Sequence, residues 1–451
     1  MVSFLKNQPR GVYFVGIGGV SMSALAQLVH DSGILVRGCD ARESIYTKKL
    51  RKLGIPVKIG SEQIYEDTIV YTEAVDRHAD LLEQLRLSGK QLYSRAEFLG
   101  KIAEEYPRVL SIAGCHGKTS ATAMLAHILF GSGLSVTCHI GGEDIDFGNY
   151  RNTGHGYFLT EACEFKRSFL SLNSNIAVIL NTELDHTDCY GSREELLTSY
   201  HLFAKQARRV IVNADDCEAQ NIPHAVSFGL HAGDIRAERI VADRERYCFT
   251  VTEKGTPIVQ VRLNTQGKVQ IYNALAAYSA ARLCGIAPRK IADGLAQFHG
   301  VKRRFEFAGT LHGVPVICDY AHHPTEIAAA FATAERICRG TVRVIFQPHT
   351  YSRTRDLMTE FVSVLKNAEN PVIYRTYAAR ESFDFRGSAV SLVSHIPEAI
   401  YCQTPDDLKR HILLLAQPED LILVLGAGDI DDTIRSLLDQ TSTDTPFCSQ
   451  A

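Results

Sequence analysis

Residues 114–119 read Gly114-Cys115-His116-Gly117-Lys118-Thr119, between the apolar run Val109–Ala113 and the helix-forming stretch Ala121–Phe130. Strand, glycine turn, lysine and hydroxyl in that order make a cradle for phosphate. Glycines let backbone N–H groups turn into the loop, and the helix start adds the positive end of its dipole. Lys118 can reach terminal phosphates, and the Thr119 hydroxyl can sit on Mg²⁺. The loop is shorter than G-x-x-x-x-G-K-[ST], because Ile112 stands where the first glycine belongs. The flanking strand and helix patterns still favour nucleotide-phosphate binding, with Ser120 in the first helical turn.

A second glycine turn lies nearer the start. Val12–Val15 runs into Gly16-Ile17-Gly18-Gly19-Val20-Ser21, followed by a helical stretch Met22–Ser32 and a strand Ile34–Gly38 that leads to Asp40. Strand, turn, helix, strand and acid outline a dinucleotide-type βαβ unit. The spacing is not G-x-G-x-x-G, so a phosphate or pyrophosphate is expected at Gly16, Gly18, Gly19 and Ser21, but not a nicotinamide cofactor.

Four polar clusters follow apolar runs. Thr160-Glu161-Ala162-Cys163-Glu164 and Asn181-Thr182-Glu183-Leu184-Asp185-His186 both occupy strand ends, where open α/β sheets bind ligands. Glu161 and His186 would face the terminal phosphate and hold Mg²⁺ if their strands neighbour the phosphate loop; otherwise they are a helix cap and a solvated loop. Asp319-Tyr320-Ala321-His322-His323-Pro324-Thr325-Glu326 places an acid and two histidines on a strand-to-helix turn, with Pro324 in the first helical turn. Gln347-Pro348-His349-Thr350-Tyr351-Ser352-Arg353 repeats that position. Lys302-Arg303-Arg304 is either a solvated join or a clamp on phosphate oxygens. Neither a G-x-S-x-G elbow nor an H-E-x-x-H helix occurs, which removes acyl-hydrolase and zinc-protease readings.

The elements that must position these residues alternate. A chain of 451 residues implies two to four domains. Strands are expected at Ile69–Thr72, Phe158–Ala162, Asn175–Asn181 and Val210–Asn213, and helices at Ala79–Ser88 and Asn273–Cys284. Antiparallel strands are expected at Val251–Lys254 and Leu263–Lys268. Beyond the join at His299–Arg304, Val316–Asp319, Val342–Phe346, Val372–Tyr374 and Ile422–Leu425 read as buried parallel strands. The result is three α/β domains, at 1–98, 99–298 and 299–451. A net charge of −3 gives no reason to expect nucleic acid or an anionic membrane as partner. No apolar stretch suggests a leader or membrane insertion. The twelve cysteines lack metal-type spacing and read as reduced cytosolic thiols, with Cys115 at a helix start the one to watch.

Taken together, these stretches resemble the Mur ligases of peptidoglycan synthesis over essentially the whole chain, from Gly16 to Ile430. The most specific pieces are residues 113–119, 161–169, 301–306, 319–326 and 347–353; the Thr325-Glu326 ending of the fourth favours the alanine-adding branch over its peptide-recycling relative. The resemblance implies a Rossmann-like UDP-binding domain, a central P-loop ATPase domain and a Rossmann-like C-terminal domain that brings the amino acid. It further implies ATP-dependent joining of L-alanine to UDP-N-acetylmuramate through an acyl phosphate, in the bacterial cytoplasm. Carried over residue by residue, Gly16, Gly18, Gly19, Ser21 and Asp40 belong to the UDP-substrate site. Gly114, Cys115, His116, Gly117, Lys118, Thr119, Ser120, Gln270, Asn273, Arg304 and Asp319 belong to the ATP site, and Thr119, Glu161 and His186 to Mg²⁺. Lys118, Glu161, His186, Arg304, His322 and His349 are the expected catalytic set. The chain departs from the family in its 267–273 segment, where Val269 and Gln270 replace a histidine and an asparagine, and at Cys115, where threonine is usual.

Overall fold

The computed structural model describes residues 3–5, 11–72, 79–183, 189–242, 246–379, 381–415 and 417–443. Among these, the strands form three sheets. The first is wholly parallel, in the order Val57–Ile59, Val36–Asp40, Val12–Val15, Thr68–Tyr71, Gln91–Ser94. Val12–Val15 is buried along its whole length, as a central strand covered on both faces must be. Helix starts are capped locally. Ser44 and Ser94 each close a capping box, the second with Glu97.

The second sheet has Val109–Ala113 near its middle, flanked in parallel by Ile176–Ile179 and Tyr157–Glu161. The two predicted acidic strand ends therefore do neighbour the phosphate loop. One wing of this sheet is the antiparallel set Ile235–Ala242, Tyr247–Glu253 and Thr256–Leu263. The strand expected at Leu263–Lys268 is not formed: it ends at Leu263, and the chain turns through Gly267 at φ 98° into a helix at Val269–Leu283. That helix starts four residues earlier than its apolar pattern suggests, because Val269 and Gln270 serve as its first turn.

The third sheet runs Glu306–Leu311, Val314–Asp319, Leu421–Leu425, Val342–Phe346, Val372–Tyr374, Ile400–Cys402. Its core strands are parallel as expected, but Val314–Asp319 is also one arm of an antiparallel hairpin with Glu306–Leu311. Partly exposed Glu306–Leu311 lacks the continuous apolar run that marks the others.

The first two sheets share one apolar core. Val12 and Phe14 of the first sheet, with Leu25 and Val29 of its helix Val20–Asp31, join Phe158 of the second sheet and the helical Phe169, Tyr200 and Phe203 in a single cluster. The third sheet keeps its own two clusters, around Phe346 and Leu423 on one face and Tyr374 and Val424 on the other.

Candidate active site

The phosphate loop follows from its glycines. Gly114 and Gly117 adopt φ 137° and 84°, and Gly117 caps the Lys118–Gly131 helix. A Cβ on Gly117 would lie 2.4 Å from the Asn273 side-chain oxygen, so any other residue here strains the backbone and pushes the Asn273 amide aside. Asn181 clamps the loop at two points: its Oδ1 accepts from the His116 N–H at 2.9 Å, and its Nδ2 donates to the His116 carbonyl at 3.0 Å. Cys115 turns its thiol to the Glu183 carbonyl, with the Tyr200 hydroxyl 3.9 Å away.

Lys118 folds back on the loop. Its ammonium donates to both oxygens of Glu164, at 2.9 and 3.0 Å, and to the carbonyls of Gly114 and Cys115. Burial disfavours its charge, yet the buried Glu164 carboxylate outweighs that and raises the ammonium above its ordinary range. Glu161, at the end of the next strand, accepts the Gly141 N–H at 2.7 Å. Burial raises its carboxyl, offset by that N–H, by Lys118 and Arg304, and by a hydrogen bond from Thr119. The Thr119 hydroxyl and the Glu161 carboxylate thus form an oxygen donor pair of the kind Mg²⁺ prefers. His186 lies outside the described residues.

His116 is not simply a loop residue. Its Nδ1 meets Glu326 at 2.9 Å and its Nε2 meets Glu183 at 3.0 Å, linking the phosphate loop to the third-sheet domain. Burial opposes a charged ring, but the two carboxylates prevail and push it up to about 10. Burial likewise works against ionised Glu326, yet His322 and His116 hold its carboxyl well below the usual range.

A cleft of about 210 Å³ opens between the central and C-terminal domains. Gly117, Ser120, Gln270, Asn273, Arg304 and Asp319 line it together with His116. Gln270 and Asn273 sit one turn apart, and Nδ2 of Asn273 donates to the Gln270 oxygen at 3.1 Å. Val269 lines the same cleft at the helix start. Asp319 accepts N–H bonds from Phe305 (2.7 Å) and Ala321 (2.8 Å). Burial pushes it up to about 6 against the pull of Arg304. The Tyr320 ring carries Arg303 at 4.7 Å and Arg304 at 5.0 Å, and Arg303 also donates to the carbonyls of Gly426 and Gly428. Arg303 and Arg304 are therefore held in a structured join, while Lys302 stays exposed and pairs with Glu143 at 3.0 Å.

His322 and His349 meet at the ends of their third-sheet strands with ring centroids 5.8 Å apart. His322 also contacts Glu326 at 3.3 Å, while His349 stacks on Tyr377 and lies 3.3 Å from Arg353. Neither belongs to the cleft lining.

The first glycine turn is tied by Asp40, whose carboxylate accepts the Gly18 N–H at 2.8 Å. Gly16 turns at φ 82° and Gly19 caps the Val20–Asp31 helix. Ser21 reaches into the central domain: its hydroxyl is 3.0 Å from His139 Nε2, and His139 Nδ1 is 2.9 Å from the Thr160 hydroxyl, next to Glu161. Burial holds His139 neutral, down to about 4. The residues missed from sequence are Glu164, His139 and the pairing role of Glu183 and Glu326. Their partners lie far off in the chain. Only the spacing of Glu161 and Glu164 hinted at one of them.

Family models place this arrangement. The Mur ligase family catalytic domain matches residues 11–107, the Mur ligase middle domain 112–281, and the Mur ligase glutamate ligase domain 303–428. A UDP-N-acetylmuramate–L-alanine ligase of Clostridium novyi is 37% identical over 95% of this chain and 97% of its own. The chain belongs to the Mur ligase family. A second such ligase, from Caldicellulosiruptor saccharolyticus, is 34% identical over 95% of this chain and 98% of its own. Among solved Mur ligases, the UDP-N-acetylmuramate-alanine ligase of Thermotoga maritima superposes with a TM-score of 0.85 at 26% identity, covering 96% of this chain and all of that one. A murein peptide ligase of Psychrobacter arcticus shares the fold at TM-score 0.74 and 23% identity, covering 97% and 99%. No helix among the described residues is long and apolar enough to cross a membrane.

Proposed function

We propose that this Mur ligase joins L-alanine to UDP-N-acetylmuramate at the expense of ATP, in the bacterial cytoplasm, with its three domains at 1–98, 99–298 and 299–451. The observation that carries the reading is the phosphate loop set between two substrate-facing strand ends, with Arg304 and Asp319 closing the same cleft from the C-terminal domain.

A carboxylate is a poor electrophile, since amine attack would have to expel oxide. Phosphoryl transfer to the muramoyl carboxylate creates a leaving group, and the amine then attacks to give an oxyanion that N–H donors and cations must stabilise. Lys118 and Arg304 supply positive charge to the transferring group, a task of positioning and electrostatics. Lys118 is held in place by Glu164 until phosphate oxygens offer a better partner. Mg²⁺, held by Thr119 and Glu161 with His186 as a third ligand, would neutralise phosphate charge. Gly114, Cys115, Gly117 and Ser120 offer the loop N–H groups, while Asn181 holds the His116 N–H and so fixes the loop; Gln270 and Asn273 offer the amides for the base, and Asp319 an acceptor for the ribose. Gly16, Gly18, Gly19 and Ser21 would take the UDP pyrophosphate, with Asp40 fixing the turn. His322 and His349 would meet the incoming amino acid.

Phosphate release with ATP, Mg²⁺ and UDP-N-acetylmuramate, with and without L-alanine, tests this directly. Release that needs both substrates, with a UDP-muramoyl-alanine product by mass, is the expected outcome. Turnover only with a ready-made peptide moves the reading to the recycling relative, and binding without turnover refutes it.

A further inference from the structure

The far end of the phosphate-loop helix carries a second cluster of donor groups. His127 Nε2 lies 3.1 Å from Asp144 Oδ2 and 3.7 Å from Asp146 Oδ2. These three side chains offer donor atoms that all lie within 4.8 Å of one another. His299 adds Nδ1 at 3.0 Å from Asp146 Oδ2. Asp144 is buried, and its Oδ1 already accepts the N–H groups of Asp146 and Phe147, which leaves Oδ2 aimed at His127. One imidazole nitrogen faces two carboxylates and can donate to only one of them at a time.

The spacing fits a cation. Tetrahedral ligands at about 2.0–2.1 Å from an ion stand about 3.4 Å apart, and the spacings of 3.1 and 3.7 Å from His127 to the two carboxylates bracket that value. Mixed imidazole and carboxylate donors suit Zn²⁺, Co²⁺ or Ni²⁺ rather than Mg²⁺. The His127 ring is fixed between Phe298 and Phe147, with centroids at 5.7 and 5.5 Å. We propose that His127, Asp144 and Asp146, completed by rotation of the exposed His299 ring, bind a divalent transition-metal ion of the Zn²⁺ class. The site is distinct from the oxygen donors at the phosphate loop, since His127 lies nine helical steps beyond Lys118, a rise of about 14 Å.

Its location gives it a consequence. Asp144 pairs with Val301, the Ile145 N–H donates to Gly300 at 3.2 Å, and Lys302 N–H donates to Glu143 at 2.8 Å. An ion bridging Asp144 and His299 therefore pins the hinge segment that delivers Arg304 to the cleft.

The test is a Co²⁺ titration of metal-free, full-length protein in excess Mg²⁺. One equivalent is expected to give visible d–d bands without a thiolate charge-transfer band, and Zn²⁺ should displace it. Asp146→Asn and His299→Ala, both at exposed positions, should each weaken Co²⁺ by about 10–100-fold with an unchanged circular dichroism spectrum. Full affinity in the double variant overturns the proposal and points to His116, Glu183 and His323 instead. A thiolate spectrum, or no binding, overturns it as well. None of these outcomes reads turnover, so they leave the ligase reading untouched.

Discussion

Replacing Glu326 by glutamine keeps side-chain volume and removes one of the two carboxylates that hold His116 charged. The ring stands at about 10 against an ordinary 6.5, which at about 1.4 kcal/mol per pH unit represents about 5 kcal/mol favouring the charged form. Glu183 remains at 3.0 Å, so roughly half of this, about 2 kcal/mol, should be lost. Glu326 Oε2 also accepts the His322 N–H at 3.0 Å. A glutamine has one carbonyl oxygen for two donors, which brings the total to about 3 kcal/mol.

The pH dependence carries a definite sign. The raised His116 contributes fully below 6.5, and that contribution fades as pH rises through about 10. The depressed Glu326 contributes above 4.5 and is lost as pH falls toward its native value. This interface is therefore strongest between 4.5 and 6.5. Imidazole titration by NMR, paired with urea unfolding across the same range, reads both limbs. His116 should stay charged at neutral pH in the unaltered protein and titrate markedly lower in Glu326→Gln. A His116 midpoint near 6.5 in the unaltered protein, or parallel stability curves for the two proteins, would refute the bridge.

Lys118→Ala should abolish ATP-dependent product while UDP-substrate binding persists; retained ligation rules out the phosphate-loop assignment. Gly117→Ala meets both a positive φ and the 2.4 Å approach to Asn273, so ATP binding should fall by at least about tenfold, and unchanged affinity by calorimetry would contradict the packing argument. Val269→His with Gln270→Asn alters two residues of the cleft lining and should tighten ATP if base recognition is weakened in this chain; equal affinity marks the pair as neutral.

The sequence is most legible where function and local geometry share one stretch of chain. The phosphate loop and the first glycine turn need their glycines within a few residues of their strands, so the pattern alone locates them. The strand-end acids could be named, but not their partners. Glu164 holds Lys118 because sheet order sets the strand that leads to it beside the phosphate-loop strand, and Glu326 holds His116 because two domains meet there; the pairs lie 46 and 210 positions apart. His139 gave no signal, since a buried histidine hydrogen-bonded across a domain join looks like any strand residue. Leu263–Lys268 misled because Leu263 closes the preceding strand, and the polar residues after it lead through Gly267 into a turn instead of starting a new strand. The Glu306–Leu311 hairpin arm escaped notice because it is half exposed, and the Val269 helix start because tertiary packing extends the helix beyond its apolar stripe.

The shared core of the first two sheets also sets a timetable for synthesis. The cluster that contains Val12 and Phe14 is completed only by residues as late as Phe203, Val212 and Ile222. A chain leaving the ribosome from its N-terminus must therefore keep a sticky parallel sheet half-clothed while more than a hundred further residues are made. The two C-terminal clusters draw on nothing before Phe305 and can condense alone. Folding of this ligase is thus front-loaded with risk: its vulnerable interval falls early, and chaperone demand should peak before the hinge is translated.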